Sequence, residues 1–348
     1  MARPLEGEPF VTVSRGGIVE SVHNVAACVV DASGSTIWSI GEIDLPVLLR
    51  STAKPFIAAA AVREGVVERF GLEPHEIAVM AASHNGETFH AAAVRSILKK
   101  IGAPEQALLC GPHPPYDESA AADLRASGEP FSAIHNNCSG KHAGILALSA
   151  ALDTRDGNYL EPNHAAQRLI LELCARLSDT RVEDLPLAID GCGIPVYAVP
   201  LRNAALSYAR LASLEGVDPR DARALRTVRD AMIANPAYVA GTGDFDTVLM
   251  EAAHGNVLAK SGAEGLHGTA ALREGVGVVL KVADGNGRAV APAMLAILDE
   301  LGILAGANAK ALERFARPPV YNRAGRLVGG ISPLSRRSDG LCPSPTIS

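Results

Sequence analysis

The chain has 348 residues, of which 48% are hydrophobic and 20% charged, with a formal net charge of −6. This composition can fill one large domain or two joined lobes, and its acidic balance argues against a general nucleic-acid surface. Six cysteines at this length make no disulfide scaffold.

The opening residues, MARPLEGEPF, lack the charged-then-apolar pattern of a signal peptide. Apolar stretches such as 291–305 are interrupted by Asp299 and Glu300, as in soluble helices rather than membrane spans. The expectation is a cytoplasmic protein with no membrane or nucleic-acid partner. Residues 10–40 hold β-prone runs, with Asp31 to Ser35 as a turn. A helix follows over 55–66. The segment IAVMAAS, 77–83, is a buried strand or a buried helix, and periodicity does not separate the two. A helix over 87–101 ends at Gly102. Residues 110–119 are loop by composition, and further helices are expected at about 141–152 and 163–177. Residues 185–200 read as strand, glycine turn and strand. Helices over 201–213 and 219–234 precede the glycine-rich bend AGTGDFDT, a weak candidate for the lining of an amino-acid pocket.

Beyond it, strands are expected near 257–265 and 267–285, then helices near 288–301 and 306–315, then the strand RLVGGIS and a polar tail from Pro333. Strands near both chain ends with helices between them predict an α+β fold, its antiparallel sheet built from both ends. The expected organisation is a single catalytic domain with two possible lobes. A sheet lobe would take about 8–50 and 250–335, and a helical lobe about 51–249.

Three short motifs bear on chemistry. In LRSTAKP, Ser51 and Lys54 stand three residues apart at a helix entrance, so an amine can reach a hydroxyl. A serine attacks only when a base takes its proton, and a lysine serves as base only when burial or positive charge lowers its pKa. By itself this motif is more often a helix cap beside a surface lysine. Ser83-His84-Asn85 and Lys260-Ser261-Gly262 follow in order. The set S-x-x-K, S-x-N, K-[ST]-G resembles that of serine β-lactamases, penicillin-binding proteins and related glutaminases, although the first two motifs lie closer together than in β-lactamases.

The longer stretches RSTAKP, ASHNGE, NNCSGKHAG, DGCGIP, AKSGAEG and VGG, spread over about residues 10–330, resemble the bacterial, rhizobial-type L-asparaginase II family. That resemblance implies a fold like serine β-lactamases and glutaminases, and hydrolysis of L-asparagine to L-aspartate and ammonia; a homodimer is the default expectation for a soluble enzyme. The resemblance implies two catalytic pairs, Ser51 with Lys54 and Ser83 with Lys260. Ser51 is the first choice of nucleophile with Lys54 as its base, and attack by Ser83 is the alternative. Arg50, His84, Asn85, Asp190 and Gly262 flank these motifs as candidate substrate-binding residues. Other outcomes on the same scaffold are a glutaminase or a peptidase-like acyl transferase, and a further one is an amino-acid binder without catalysis.

The resemblance also implies a zinc site of Cys138, Lys141 and Cys192. Two thiolates suit zinc; lysine is an unusual ligand because it must first lose a proton. From the residues alone, His135 or His142 would be the preferred third ligand, and Asp190 a neighbour to the metal or to the substrate ammonium. Two further readings remain open: reduced thiols in tight turns, or Cys138 as a nucleophile with His135 or His142 as base.

Overall fold

Alternating and continuous β-branched runs at both ends of the sequence become strands, and the alanine-rich middle becomes helices, in the computed structural model, which describes residues 5–155 and 157–334. In chain order the elements are β1 (Glu8–Arg15), β2 (Ile18–Asp31), β3 (Thr36–Ile40), β4 (Pro46–Leu48), α1 (Lys54–Arg63), α2 (Val66–Phe70), α3 (Pro74–Met80) and α4 (Thr88–Ile101). Then come α5 (Glu118–Ser127), α6 (Ser139–Ala151), α7 (Ala165–Leu177), β5 (Leu187–Ile189), β6 (Pro195–Pro200), α8 (Leu201–Ser213), α9 (Pro219–Ala234), α10 (Pro236–Val239) and α11 (Phe245–Ala252). The last are β7 (Val257–Ser261), β8 (Leu266–Ala271), β9 (Val276–Val282), α12 (Val290–Glu300), α13 (Ala309–Ala316), β10 (Pro319–Tyr321) and β11 (Leu327–Pro333).

The chain packs as two compact units. Of the described residues, one comprises 5–47, 200–213 and 248–334; the other comprises 48–155, 157–199 and 214–247. The first is built on an antiparallel sheet in the order β10-β11-β1-β2-β9-β8-β7, with β3 also pairing β2. Val11 lies opposite Pro333, so the sheet joins strands from both ends of the sequence, as the pattern predicts. Residues Val25 to Val30 of β2 are all fully buried, as are Val278, Val279 and Leu280 of β9. Burial of both faces explains why these strands read as unbroken apolar runs rather than alternating ones. Helix α8, which the sequence groups with the helical residues 51–249, packs on β9, β2 and β8.

The second unit is helical around α1, whose residues Lys54 to Ala61 are all buried. A helix apolar on every side can only be central, and α1 touches α9, α6, α7 and α3. Its alanines let those neighbours approach closely. In the undecided segment 77–83, residues 77–80 form the end of α3, a helix buried among α9, α6 and α4, and 81–83 lead out of it. Helix α4 stops at Gly102 in the left-handed conformation, as expected. The polar tail from Pro333 lies almost wholly outside the described residues, as does the start of the opening stretch. Among the described residues no helix is long and apolar enough to cross a membrane.

Candidate active site

The Ser51 motif sits where the chain turns from β4 into α1. Leu49 is anchored by its N–H to the Tyr197 carbonyl at 3.0 Å. Arg50 then takes a left-handed conformation, φ 46°, unusual for a residue with a side chain. Residues Arg50–Ala53 form a 3-10 turn that runs into α1, with Pro55 in the first helical turn, where its missing N–H removes no helical hydrogen bond. Ser51 is half-buried.

Lys54 is 1% exposed, so its amine must find acceptors inside the protein. They are the Ala82 carbonyl at 2.7 Å, the Ser83 hydroxyl at 2.8 Å and the Asn137 carbonyl at 3.4 Å. The Cys138 thiol is a further hydrogen-bond partner. Lysine 54 is therefore paired with the serine of the second motif. Among the described residues its amine makes no hydrogen bond to Ser51, three positions earlier, although the two share a turn through the Lys54 N–H to Ser51 carbonyl bond. Burial, aided by the charge of Lys141, holds the amine below its ordinary pKa of 10.5 despite the opposing pull of the thiols.

Ser83 follows the last turn of α3 in an extended segment. Ser83 N–H donates to the Val239 carbonyl at 2.9 Å and Asn85 N–H to the Ala240 carbonyl at 2.8 Å. The Asn85 carbonyl accepts the Asp117 N–H at 2.9 Å. A cleft of about 500 Å³ opens here, lined by Ser83, Asn85, Tyr116, Asp117, Ser119, Thr242 and their neighbours. Asn85 thus lines the cleft, as a substrate-binding residue must. His84 does not: it is fully buried. The Ser139 hydroxyl donates to the Ile134 carbonyl, so it receives the His84 Nε2–H at 2.9 Å. Side chains alternate along an extended segment, and the residue after Ser83 points inward. Burial keeps His84 neutral, well below the ordinary imidazole pKa, and its ring stacks on that of His90 at 4.8 Å.

The third group forms where α6 begins. Gly140 lies so close to α3 that a Cβ there would meet the Val79 carbonyl oxygen at 2.1 Å. Only glycine permits this approach, which brings the start of α6 up to the end of α3. Lys141 Nζ donates to Cys192 Sγ at 2.8 Å and lies 3.9 Å from Asp190 Oδ2. Cys138 and Cys192 share a hydrogen bond that pulls the Cys138 thiol well below the usual range and pushes Cys192 up. Lys141 is fully buried, which disfavours its charge, but the facing thiols and Asp190 outweigh burial and raise its pKa. Arg50 Nε binds Asp190 Oδ1 at 2.5 Å, joining this cluster to the Ser51 turn. Burial would raise the Asp190 carboxyl, but Lys141 and Arg50 hold it below the ordinary value.

Two sulfurs and one amine therefore converge in a buried pocket, a donor set that fits zinc once Lys141 loses its proton. Among the described residues no three His, Cys, Asp or Glu side chains cluster as a metal site, so the fit depends on lysine as the third donor. The two histidine alternatives each engage Nδ1, while the buried Nε2 of His142 has no hydrogen-bond partner among the described residues. His135 Nδ1 accepts the Ser132 N–H at 3.1 Å, and His142 Nδ1 faces the Tyr159 hydroxyl at 2.8 Å.

Lys260 and Gly262 belong to the sheet unit. Lys260 is fully buried on β7 with its Nζ donating to the Ser261 carbonyl at 2.7 Å. The Gly262 N–H is committed to the Leu266 carbonyl at 2.8 Å, closing the β7–β8 turn. Thr242 belongs to the bend AGTGDFDT and lines the cleft, whereas its contact with Glu87 has no signal in the sequence. They touch across 155 positions, Glu87 being the last residue of ASHNGE.

A buried serine–lysine contact beside a cleft places a hydroxyl next to an amine of lowered pKa, with a thiol–amine cluster adjoining it. The chain belongs to the L-asparaginase II family, whose model matches residues 11–333. Among solved structures it is similar to Mglu in its native form, with 14% identity, 84% of this chain and 63% of that chain covered, and a TM-score of 0.38. The chain thus spans less than two thirds of that protein's length. A β-lactamase candidate from Bacteroides dorei DSM 17855 is 16% identical over 79% of this chain and 93% of its own, with a TM-score of 0.39. A Bacillus glutaminase is 15% identical over 81% and 92%, at 0.37. No curated protein matches the chain.

Proposed function

We propose that the protein hydrolyses L-asparagine to L-aspartate and ammonia through a seryl ester. The observation that supports this best is Lys54, a buried amine of lowered pKa placed 2.8 Å from the Ser83 hydroxyl and one turn from Ser51. Ser51 Oγ attacks the amide carbon and its proton passes to the neutral Lys54 amine. Ser83 relays that proton to the departing nitrogen, which leaves as ammonia. Water then adds to the ester, the same groups carry its proton back to Ser51, and aspartate is released.

Zinc would be held by Cys138, Lys141 and Cys192, and a bound ion supplies positive charge beside the substrate's polar groups. Asp190 and Arg50 orient this side of the site. His84 supports the floor beneath Ser83.

A second reading has its own support, because Ser83 is the serine in contact with the base and lines the cleft. In it, Ser83 attacks. Trapping the acyl-enzyme with asparagine and mapping the adduct by mass spectrometry separates the two. The first reading expects no adduct in S51A, and an adduct on Ser83 in S51A would reverse the assignment. Ammonia release is compared across asparagine, glutamine and short D-alanyl peptides. Faster turnover of glutamine would replace asparagine as the substrate, and turnover of the peptides would make the chain a peptidase-like acyl transferase. Asparagine binding without turnover in zinc-loaded protein would instead favour a binder.

A further inference from the structure

The Ser83 cleft has two walls, and both hang from one residue. The wall at 239–242 is held by the Asn85 N–H on the Ala240 carbonyl, and the wall at 116–119 by the Asp117 N–H on the Asn85 carbonyl. What fixes Asn85 itself is Glu87. Glu87 Oε1 accepts the Asn85 side-chain Nδ2–H at 2.9 Å and the Thr242 N–H at 2.8 Å. Its Oε2 accepts the Thr242 hydroxyl at 2.7 Å.

The loop is shaped for this grip. Gly241 lies at φ +148°, and a Cβ there would stand 2.1 Å from Asn85 Nδ2. The loop therefore closes directly onto the Asn85 amide, and its Gly241 carbonyl is pinned from behind by the Thr247 hydroxyl at 2.7 Å. The carboxylate of Glu87 gathers three donors, one from the Ser83 segment and two from the loop.

We propose that Glu87 is a positioning residue, fastening the 239–242 loop to the Ser83–Asn85 segment and so setting the width of the cleft that receives the substrate. It acts through Asn85 and Thr242 and touches no reacting atom. Loss of the clamp widens the cleft and weakens substrate binding more than it slows chemistry at Ser51, Ser83 and Lys54. This role rests on the amide-hydrolase reading of the cleft, while the clamp itself is independent of it.

The test compares wild-type, E87Q, T242V and the double variant with asparagine, alongside hydrogen exchange at the Asn85 and Thr242 amides. Glutamine keeps the size of Glu87 but loses the charge, and valine removes only the hydroxyl. KM is expected to rise about tenfold in E87Q and less in T242V, with kcat changing by less than about threefold, the scale of a lost charge-assisted hydrogen bond. The double variant should be no worse than E87Q, because both changes break one clamp. Exchange at Thr242 should quicken about tenfold in E87Q. Unchanged KM in E87Q, a fall in kcat alone, or additive effects would overturn the positioning role. Unchanged exchange at Thr242 would overturn the clamp whether or not asparagine proves to be the substrate. Failure of the wild-type protein to release ammonia would overturn the functional reading while leaving the exchange result to judge the clamp.

Discussion

Lys54 and Lys141 are equally buried amines of the helical unit, each 1% exposed, yet their surroundings drive them apart. Lys54 faces two carbonyls, a serine hydroxyl and the Cys138 thiol, and burial aided by the Lys141 charge outweighs the pull of the thiols, so its proton is weakly held. Lys141 faces a thiolate-forming cysteine pair and the Asp190 carboxylate, so charge prevails and its proton is strongly held. Equal burial thus leaves one amine with a lowered pKa and the other with a raised one, and the partners decide which. Only something more positive than a proton, such as a divalent metal, would turn the second amine into a donor.

Exchanging each lysine for methionine is the strongest way to break this contrast. K54M should lower kcat by about a thousandfold or more, the range for losing a general base, while keeping its zinc. K141M should lose zinc, read by mass spectrometry of the metal content, and C138A should lose it too. Stoichiometric zinc in C138A, or a K54M variant as active as wild type, would remove the distinction between the two amines.

A smaller effect comes from His90, which burial dominates in the same way as Lys54. Its pKa falls from 6.5 to about 4. Above about pH 6.5 it is neutral in both the folded and unfolded chain. Between about pH 6.5 and 4 the unfolded chain takes a proton that the folded one refuses, so stability is lost as pH falls through that window. The loss approaches about 3 kcal/mol. Denaturant unfolding at pH 7 and pH 4.5 should show it, and H90Q should flatten the difference; an equal slope in both proteins would contradict it.

The smallest readout concerns two thiols that have burial without a charged cluster. Cys28 and Cys174 are pushed up to about 12, chiefly by burial, and should resist iodoacetamide at pH 8 in the folded protein. Prompt labelling of either, seen by peptide mass, would mean that burial alone does not silence a thiol here.

Local spacing carried much of the architecture. The strands of residues 10–40, the helix ended by Gly102 and the strand–turn–strand at 185–200 all follow from patterns within a few residues. Segment 77–83 stayed ambiguous because α3 is buried among three helices, which erases the polar face that distinguishes helix from strand. Strand β10 is only three residues long and left no pattern to read. In the site, the motifs marked Ser51, Lys54, Ser83 and the cysteines, but not who pairs with whom. Lysine 54 reaches Ser83 rather than Ser51 because the available carbonyls lie at the end of α3, a fact of packing. Glu87 and Thr242 lie inside the quoted stretches ASHNGE and AGTGDFDT, but nothing in either stretch shows that the two side chains meet until the loop closes on Asn85.

The pairing of β1 with β11 sets a schedule for making this protein. Thr12 meets its partner Ser332 across 320 positions, so β1 must wait for the much later β11 before the sheet can zip. Helices α1 to α7 make their contacts within a much shorter span and can settle while β1 and β2 are still incomplete. During that interval an apolar hairpin stands with an open edge, which makes it the part of the molecule most exposed to mispairing with other chains and to capture by chaperones.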